Sequence, residues 1–495
     1  MSELMTDPRL HIAGTASEAI HAERVLDALA QPHVTISGGQ ASSDDELLAA
    51  SALYALLCRI FPNTSLELDG ALPPNPWGAD TIADFVAKQP SAPARPHETP
   101  RELVIAVGRC AGPADLYTAG DDWTAIVSRS PLSAFPAPGK HGSLGLHAAT
   151  ALAGSEVVKQ ALSDLDLQTV PLEAELIWNL LDYRLQAAPA TTHTSPAMHQ
   201  RLLFLGAGSL GSSAIAALSL TDTPGSIEIV DHDEFDPSHN PFRYPAATTV
   251  TDGSKVHWLA AMAGPFPAMG AHPHNQKLQD WLAERDSPGF DGTAVVTVDR
   301  VDARRDAADL MARHTIAAGV RGLATELHRS TAIDSSMACS YCPHVDVADP
   351  YDQVDVYAEV TNLPAARVQE LLDGARLTLA DLEATGGPID HRLVGRRFED
   401  LVRAAYAEAT LPATSDQSIP IRVSAPHVSW LTGLTIAAEI QKQSLGLPTL
   451  QRRLRIDLRG LPLGITDRPE PDLTGRCLCR NPVRQAAARS WYHAD

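Results

Sequence analysis

The residues with most to say about chemistry begin at a glycine loop, Gly206-Ala207-Gly208-Ser209-Leu210-Gly211. It lies between an apolar run (Arg201 to Leu205) and a helical stretch (Ser212 to Leu220). The glycines let the backbone turn tightly, and the free N–H groups opening the following helix suit a phosphate. A second apolar run, Ser226 to Asp231, ends in an acid about twenty residues beyond the last glycine, where a carboxylate can take ribose hydroxyls. Alone, this serves a dinucleotide as well as any other nucleotide.

The residues beyond Asp231 narrow the choice. Asp231-His232-Asp233 is succeeded by Asn240-Pro241-Phe242-Arg243, then by Gly253-Ser254-Lys255, and a later strand (Ala294 to Val298) ends in Asp299. Hydride transfer has no use for an Arg, a Lys and a strand-end Asp gathered above one phosphate loop. ATP chemistry does. Lys and Arg can hold the β and γ phosphates and offset charge on departing pyrophosphate, while a carboxylate carries Mg2+.

Two cysteine pairs, Cys339-Ser-Tyr-Cys342 and Cys477-Leu-Cys479, lie near the two ends of the C-terminal half. Brought together, they would make a tetrahedral thiolate site for Zn2+; two pairs of buried unliganded thiols are the alternative. Of six cysteines only Cys58 and Cys110 remain, both in apolar or strand-end settings that read as core positions. His193, His272, His274 and His344 show no ligand spacing.

The elements that must position these residues fall into two α/β units. In the first, Val34 to Ile36, Ser65 to Asp69, Leu103 to Val107 and Thr124 to Val127 read as strands, and Leu47 to Leu57 and Gly145 to Leu162 as helices. Leu172 to Leu185 is expected to be an amphipathic helix. A Pro-punctuated polar stretch comes next, so the expected division is residues 1–190, a linker over 191–199, a nucleotide-binding domain over 200–482 and a tail over 483–495. A helical insertion at about 346–420 holds the stretches Thr361 to Ala384 and Arg397 to Ala409. The halves end alike: Glu156-Val-Val-Lys159-Gln-Ala-Leu162 matches Glu439-Ile-Gln-Lys442-Gln-Ser-Leu445. A degenerate internal duplication explains this, with two unrelated Rossmann-like units as the alternative. The first copy lacks the nucleotide residues: no third glycine succeeds Gly38-Gly39, and its later strand ends in Gly108-Arg109.

Length and composition set bounds. At roughly 150 residues per domain, 495 residues suggest about three domains or two large ones. A net charge of −21, from 39 Lys plus Arg against 60 Asp plus Glu, argues against a nucleic-acid partner. No apolar run reaches the roughly 18 residues of a membrane span, since Ala49 to Phe61 is broken by polar residues and Arg59. The first twenty residues show no basic segment leading into an apolar one, so a cytoplasmic location without membrane association is expected.

The ordered set of glycine loop, Asp-x-Asp, Asn-x-x-Arg, Lys and strand-end Asp resembles the adenylation domain of the ThiF, MoeB and HesA family, relatives of ubiquitin-activating enzymes. The resemblance covers 200–482, apart from about 346–420. It departs at Ser209 (the family prefers Gly), in a segment one residue longer before Asn240, and at Pro241. It implies a Rossmann-like, mostly parallel sheet in which Gly206, Gly208, Gly211 and Asp231 bind nucleotide, with Asp233 nearby. Asn240, Arg243 and Lys255 would face the phosphates, Asp299 would hold Mg2+, and the four paired cysteines would hold Zn2+. It further implies an adenylyltransferase, a nucleotidyltransferase that activates a carboxylate with ATP. The substrate would be the C-terminus or an acidic residue of a peptide, or a small ubiquitin-like or sulfur-carrier protein. The inactive first copy would form internally, in a monomer, the two-fold pair that other members form as homodimers; a homodimer of the whole chain also stays open. An NAD(P)-dependent oxidoreductase and a scaffold with a decayed site are the rival readings.

No cysteine lies between Cys342 and Cys477, where ubiquitin-activating relatives carry their thioester nucleophile. Transfer from the acyl-adenylate is therefore expected to be direct. The double change Cys58→Ser, Cys110→Ser should leave product formation near wild type. A thiol-sensitive enzyme–substrate adduct that disappears in this variant would contradict the expectation.

Overall fold

The computed structural model describes residues 22–39, 43–95, 101–109, 112–132, 142–165, 169–185, 197–221, 223–237, 240–264, 269–285, 289–299, 301–332, 337–345, 354, 357–358, 361–372, 374–386, 391–398, 401, 425–451, 453–462, 464–475 and 477–492. Cys110, most of the 191–199 linker and most of the 346–420 insertion lie outside them.

Runs such as Leu103-Val-Ile-Ala-Val107, apolar on both faces, suit strands buried between helix layers. They build a first sheet from β1 (Pro32–Gly38), β2 (Asn63–Glu67), β3 (Arg101–Val107), β4 (Leu116–Gly120), β5 (Thr124–Ser128) and β6 (Glu175–Asn179). Its spatial order is β2-β1-β3-β4-β5-β6. The first three pairings are parallel and the last two antiparallel. Helix α1 (Asp44–Leu57) joins β1 to β2, and α2 (Leu144–Ala161) lies between β5 and β6.

The second sheet contains β7 (Gln200–Leu205), β8 (Gly225–Asp231), β9 (Met269–Asn275), β10 (Thr293–Val296), β11 (His314–Arg321), β12 (Ala324–Thr331), β13 (Arg453–Asp457) and β14 (Ile465–Asp467), in the order β14-β13-β12-β11-β10-β7-β8-β9. From β8 to β13 the pairings again run parallel three times and then antiparallel twice. Helix α3 (Ser209–Ser219) joins β7 to β8 as α1 joins β1 to β2. Two short helices, α4 (Asn240–Arg243) and α5 (Lys255–Ala263), come after β8. Helix α6 (Pro426–Ser444) precedes β13 as α2 precedes β6. So the mixed α/β architecture consists of two largely parallel sheets, with β9 and β14 added at the edges of the second.

Helices α2 and α6 are almost wholly buried and meet along the seam between the sheets, with His147 edge-on to Trp430 at 5.9 Å. The matched sequences do matched work here. Lys159, ion-paired with Glu156, donates to the carbonyls of Val170 (2.9 Å) and Gly460 (3.1 Å). Lys442, ion-paired with Glu439, donates to those of Leu180 (3.0 Å) and Leu181 (3.1 Å). The acids accept backbone N–H groups in turn, Glu156 from Leu172 and Glu439 from Leu450, each at 2.7 Å. On its other side α6 lies so close to α3 that a Cβ on Gly433 would stand 2.5 Å from the Ser213 carbonyl carbon.

Two expectations are corrected. Leu172 to Leu185 is not a helix: Leu176, Ile177 and Trp178 favour an extended chain, and β6 completes the sheet beside β5. Thr361 to Ala384 is not one helix either. It divides into Ala365–Leu372 and Leu379–Ala384, because Gly374 turns at φ +109° and Thr378 with Asp381 forms a new capping box.

Both rings at the seam, His147 and His427, are fully buried, and none of their nitrogens has a hydrogen-bond partner among the described residues. Burial holds each imidazole down to about 3, against an ordinary 6.5. Below pH 6.5 the unfolded chain therefore binds protons that the folded chain refuses, so stability falls as pH drops towards the folded values. Urea midpoints should decline between pH 6.5 and about 4. The double variant His147→Leu, His427→Leu should flatten that decline. An unchanged slope would contradict the burial of neutral rings.

Candidate functional site

The site is built where β7, β8 and β10 end. Gly206 leaves β7 at φ +101°, a conformation that favours glycine, and a Cβ on Gly211 would stand 2.2 Å from the Gly206 carbonyl oxygen. The fold alone demands glycine at both positions. Gly208 differs: a Cβ there would meet nothing nearer than the Tyr244 hydroxyl at 4.0 Å. Its missing side chain leaves open space above the start of α3. Gly208, the N-cap, has no side chain to cap that helix, so the positive end of the helix dipole faces the space.

Asp231, at the end of β8, braces the loop. One carboxylate oxygen accepts Ala207 N–H at 2.6 Å and the other accepts Asp233 N–H at 2.9 Å. Asp233 in turn holds the Lys255 ammonium at 2.6 Å. The pairing is fixed from below, because Phe235 N–H donates to Gly253 (2.6 Å) and Lys255 N–H donates to the Asp233 carbonyl (3.2 Å). Burial opposes the Lys255 charge, but the Tyr244 oxygen and the carboxylates of Asp233 and Asp231 outweigh it and hold the pKa above its ordinary value. Lys255 is thus a buried cation whose charge its neighbours reinforce. Burial likewise raises the Asp233 pKa, yet Lys255 chiefly, with His232 and Arg397, brings it below the ordinary value.

Asn240 opens α4 and turns its side-chain oxygen inward to accept Asp236 N–H at 2.9 Å. Arg243 closes this helix with its Nε buried, and Ser254 Oγ is buried as well; neither has a hydrogen-bond partner among the described residues. Tyr244 comes next, buried against Phe235 and Trp258, and burial raises its pKa despite the neighbouring Lys255 and Arg243 charges. Sequence reasoning missed Tyr244, since nothing in an aromatic beside Arg243 separates a site residue from a core one. Beyond β10, Thr297 donates from N to Leu205 O and from Oγ1 to Gly206 O, both at 3.0 Å. Asp299, two residues further on, is exposed at the same strand-end crevice.

The corresponding place in the first sheet is closed. Glu46 completes a capping box at the start of α1, accepting Ser43 N–H (2.8 Å) and Arg109 N–H (3.1 Å). A carboxylate therefore covers the start of α1, where α3 has Gly208.

Cys339, Cys342, Cys477 and Cys479 converge, with five Sγ separations of 3.3 to 3.8 Å. Four thiolates about 2.3 Å from a tetrahedral zinc stand roughly 3.8 Å apart, so this donor set fits that ion. Asp231, His232 and Asp233 also lie close enough to share a cation, but backbone amides and Lys255 already occupy both carboxylates. Cys58 is buried and its thiol is pushed up to about 11 by desolvation. No helix among the described residues is long and apolar enough to cross a membrane.

No protein-family model matches the chain, and no curated protein does. Among solved structures it is similar to the microcin C7 biosynthetic enzyme MccB in complex with N-formylated MccA, at 14% identity over 57% of this chain and 67% of that one, with a TM-score of 0.33. It is similar to E. coli MccB with ATP at 11% identity over 57% and 66% of the two chains, with a TM-score of 0.32. For PaaA the values are 13%, 55%, 72% and 0.30. Likeness this partial carries no inference about activity.

If the four cysteines hold zinc, purified protein should contain about one zinc per chain. Cys342→Ser should lose the metal and lower the melting temperature. Metal-free protein with an unaltered melting temperature would contradict the assignment.

Proposed function

We propose that this chain is an ATP- and Mg2+-dependent adenylyltransferase that activates a carboxylate. The carrying observation is the buried Lys255 ammonium, held by the exposed Asp233 carboxylate beside the Gly208 start of α3, with Arg243 Nε and Ser254 Oγ unpartnered among the described residues. A buried cation and orphaned polar atoms around a helix start fit a polyphosphate better than a nicotinamide. Gly206, Gly208 and Gly211 shape the loop, and Asp231 uses its remaining lone pairs for ribose. Arg243 and Lys255 face the β and γ phosphates, with Asn240 ordering their approach. Asp299 would hold Mg2+, which screens phosphate charge when bound.

A substrate carboxylate oxygen attacks the α-phosphorus, the bond to the bridging oxygen breaks, and pyrophosphate leaves with that electron pair. No general base is needed, because the carboxylate is already ionised. The protein contributes alignment and fixed positive charge. The substrate proposed is a peptide, or a small ubiquitin-like or sulfur-carrier protein. The activated acyl group passes directly to an acceptor, in keeping with the buried, poorly ionised Cys58 thiol.

We also read residues 1–190 as an inactive copy of 200–482, related to it by an internal pseudo-two-fold. The repeated strand order, the matched Glu–Lys pairs and the Glu46 carboxylate over α1 support this reading. The zinc site ties Cys477 and Cys479 to the body of the second unit.

Pyrophosphate release assayed against a panel of peptides tests the activity. Asp299→Asn should preserve the fold and reduce release roughly 100-fold, the size expected for removing one electrostatic stabiliser. Undiminished release in that variant would overturn the role of Asp299.

A further inference from the structure

Arg59 lies just past α1 in the first half, is only 1% exposed, and pairs with no carboxylate among the described residues. An apolar side chain would fill such a position without desolvating a charge. The guanidinium can instead reach several carbonyls in a fixed plane. Nε donates to Pro241 O at 2.7 Å and Nη2 to Ala247 O at 2.5 Å, while Nη1 is held by Gln89 Oε1 at 3.0 Å and by Ala55 O. Pro241 and Ala247 belong to the second half, on the strap that carries Asn240, Arg243 and Tyr244. Two more contacts from the first half grip that strap. Trp77 Nε1 donates to Pro245 O at 3.1 Å, and Lys88 O accepts Thr249 N–H at 2.8 Å.

We infer that Arg59, seconded by Trp77, is a positioning residue for the nucleotide site, through which the first half sets where Arg243 and Tyr244 stand relative to Gly208. The inference rests on the proposed ATP site and extends it, giving the first half a defined task in substrate binding. It singles out the polyphosphate end of the nucleotide. Arg243 lies on the gripped strap, whereas the glycine loop and Asp231 are built from β7, β8 and α3.

The test uses the full chain with ATP and AMP, each with Mg2+, as probes, and amide hydrogen exchange as an independent readout. In Arg59→Met, ATP affinity should fall about tenfold or more, as for one misplaced charged contact, with AMP affinity nearly unchanged. Arg59→Lys should recover part of the loss. Trp77→Phe keeps the ring against Phe85 and removes one strap bond, so it provides a milder variant if Arg59→Met folds poorly. In every weakened variant, exchange should quicken over 240–249 and not over β7 and β8. Unchanged strap exchange, or equal losses for ATP and AMP, would overturn the inference. Wild-type protein that binds no ATP would instead remove the nucleotide reading, and strap exchange would still report on the clamp.

Discussion

The structure depends on how charge is kept inside the seam between its two sheets. Glu156 with Lys159, and Glu439 with Lys442, are ion pairs removed from water, and each survives because backbone groups satisfy what the partner leaves over. Lys159 of the first half reaches Gly460 of the second, and Lys442 of the second reaches Leu180 of the first. Separating the halves would strand buried charges, a large penalty of the kind that makes breaking such pairs strongly destabilising. The seam is therefore the fixed frame of the molecule. Through Gly433 it sets α6 directly on α3, and α3 carries the glycine loop at its start.

From that frame the crevice acquires its charge pattern. The chain has a net charge of −21, yet at the crevice two acids are used to hold a loop and a cation in position. Asp231 is committed to the loop and Asp233 to Lys255, leaving the ammonium charged and its location fixed. The two helix starts then differ in one respect that matters. Glu46 covers the first, and the second begins at Gly208, which has no side chain to cap it. The first half also grips the second unit at the 240–249 strap.

Much of this is legible in the sequence where a local rule suffices. The glycine loop between β7 and α3, the strand end at Asp231 and the paired cysteines can be seen from spacing alone. So can the correspondence of the α2 and α6 sequences, though not the reason for it, which is a set of contacts between residues some three hundred positions apart. Leu172 to Leu185 misleads because a half-buried edge strand with aromatic residues also shows helical spacing over a short window. Arg59 looks, in the sequence, like an interruption of an apolar stretch. Its meaning lies in carbonyls of the other half, which no local pattern reveals. Tyr244 is hidden for the same reason, since its neighbours come from Gly208 and Lys255.

Whether the crevice accepts a polyphosphate separates ATP chemistry from hydride transfer. Equilibrium titration of the full chain with ATP and Mg2+, and separately with NADH, tests this most directly. Saturable binding of about one ATP per chain, with no saturable NADH binding, is the predicted result. Tight binding of NADH without binding of ATP would contradict it and return the glycine loop to hydride chemistry.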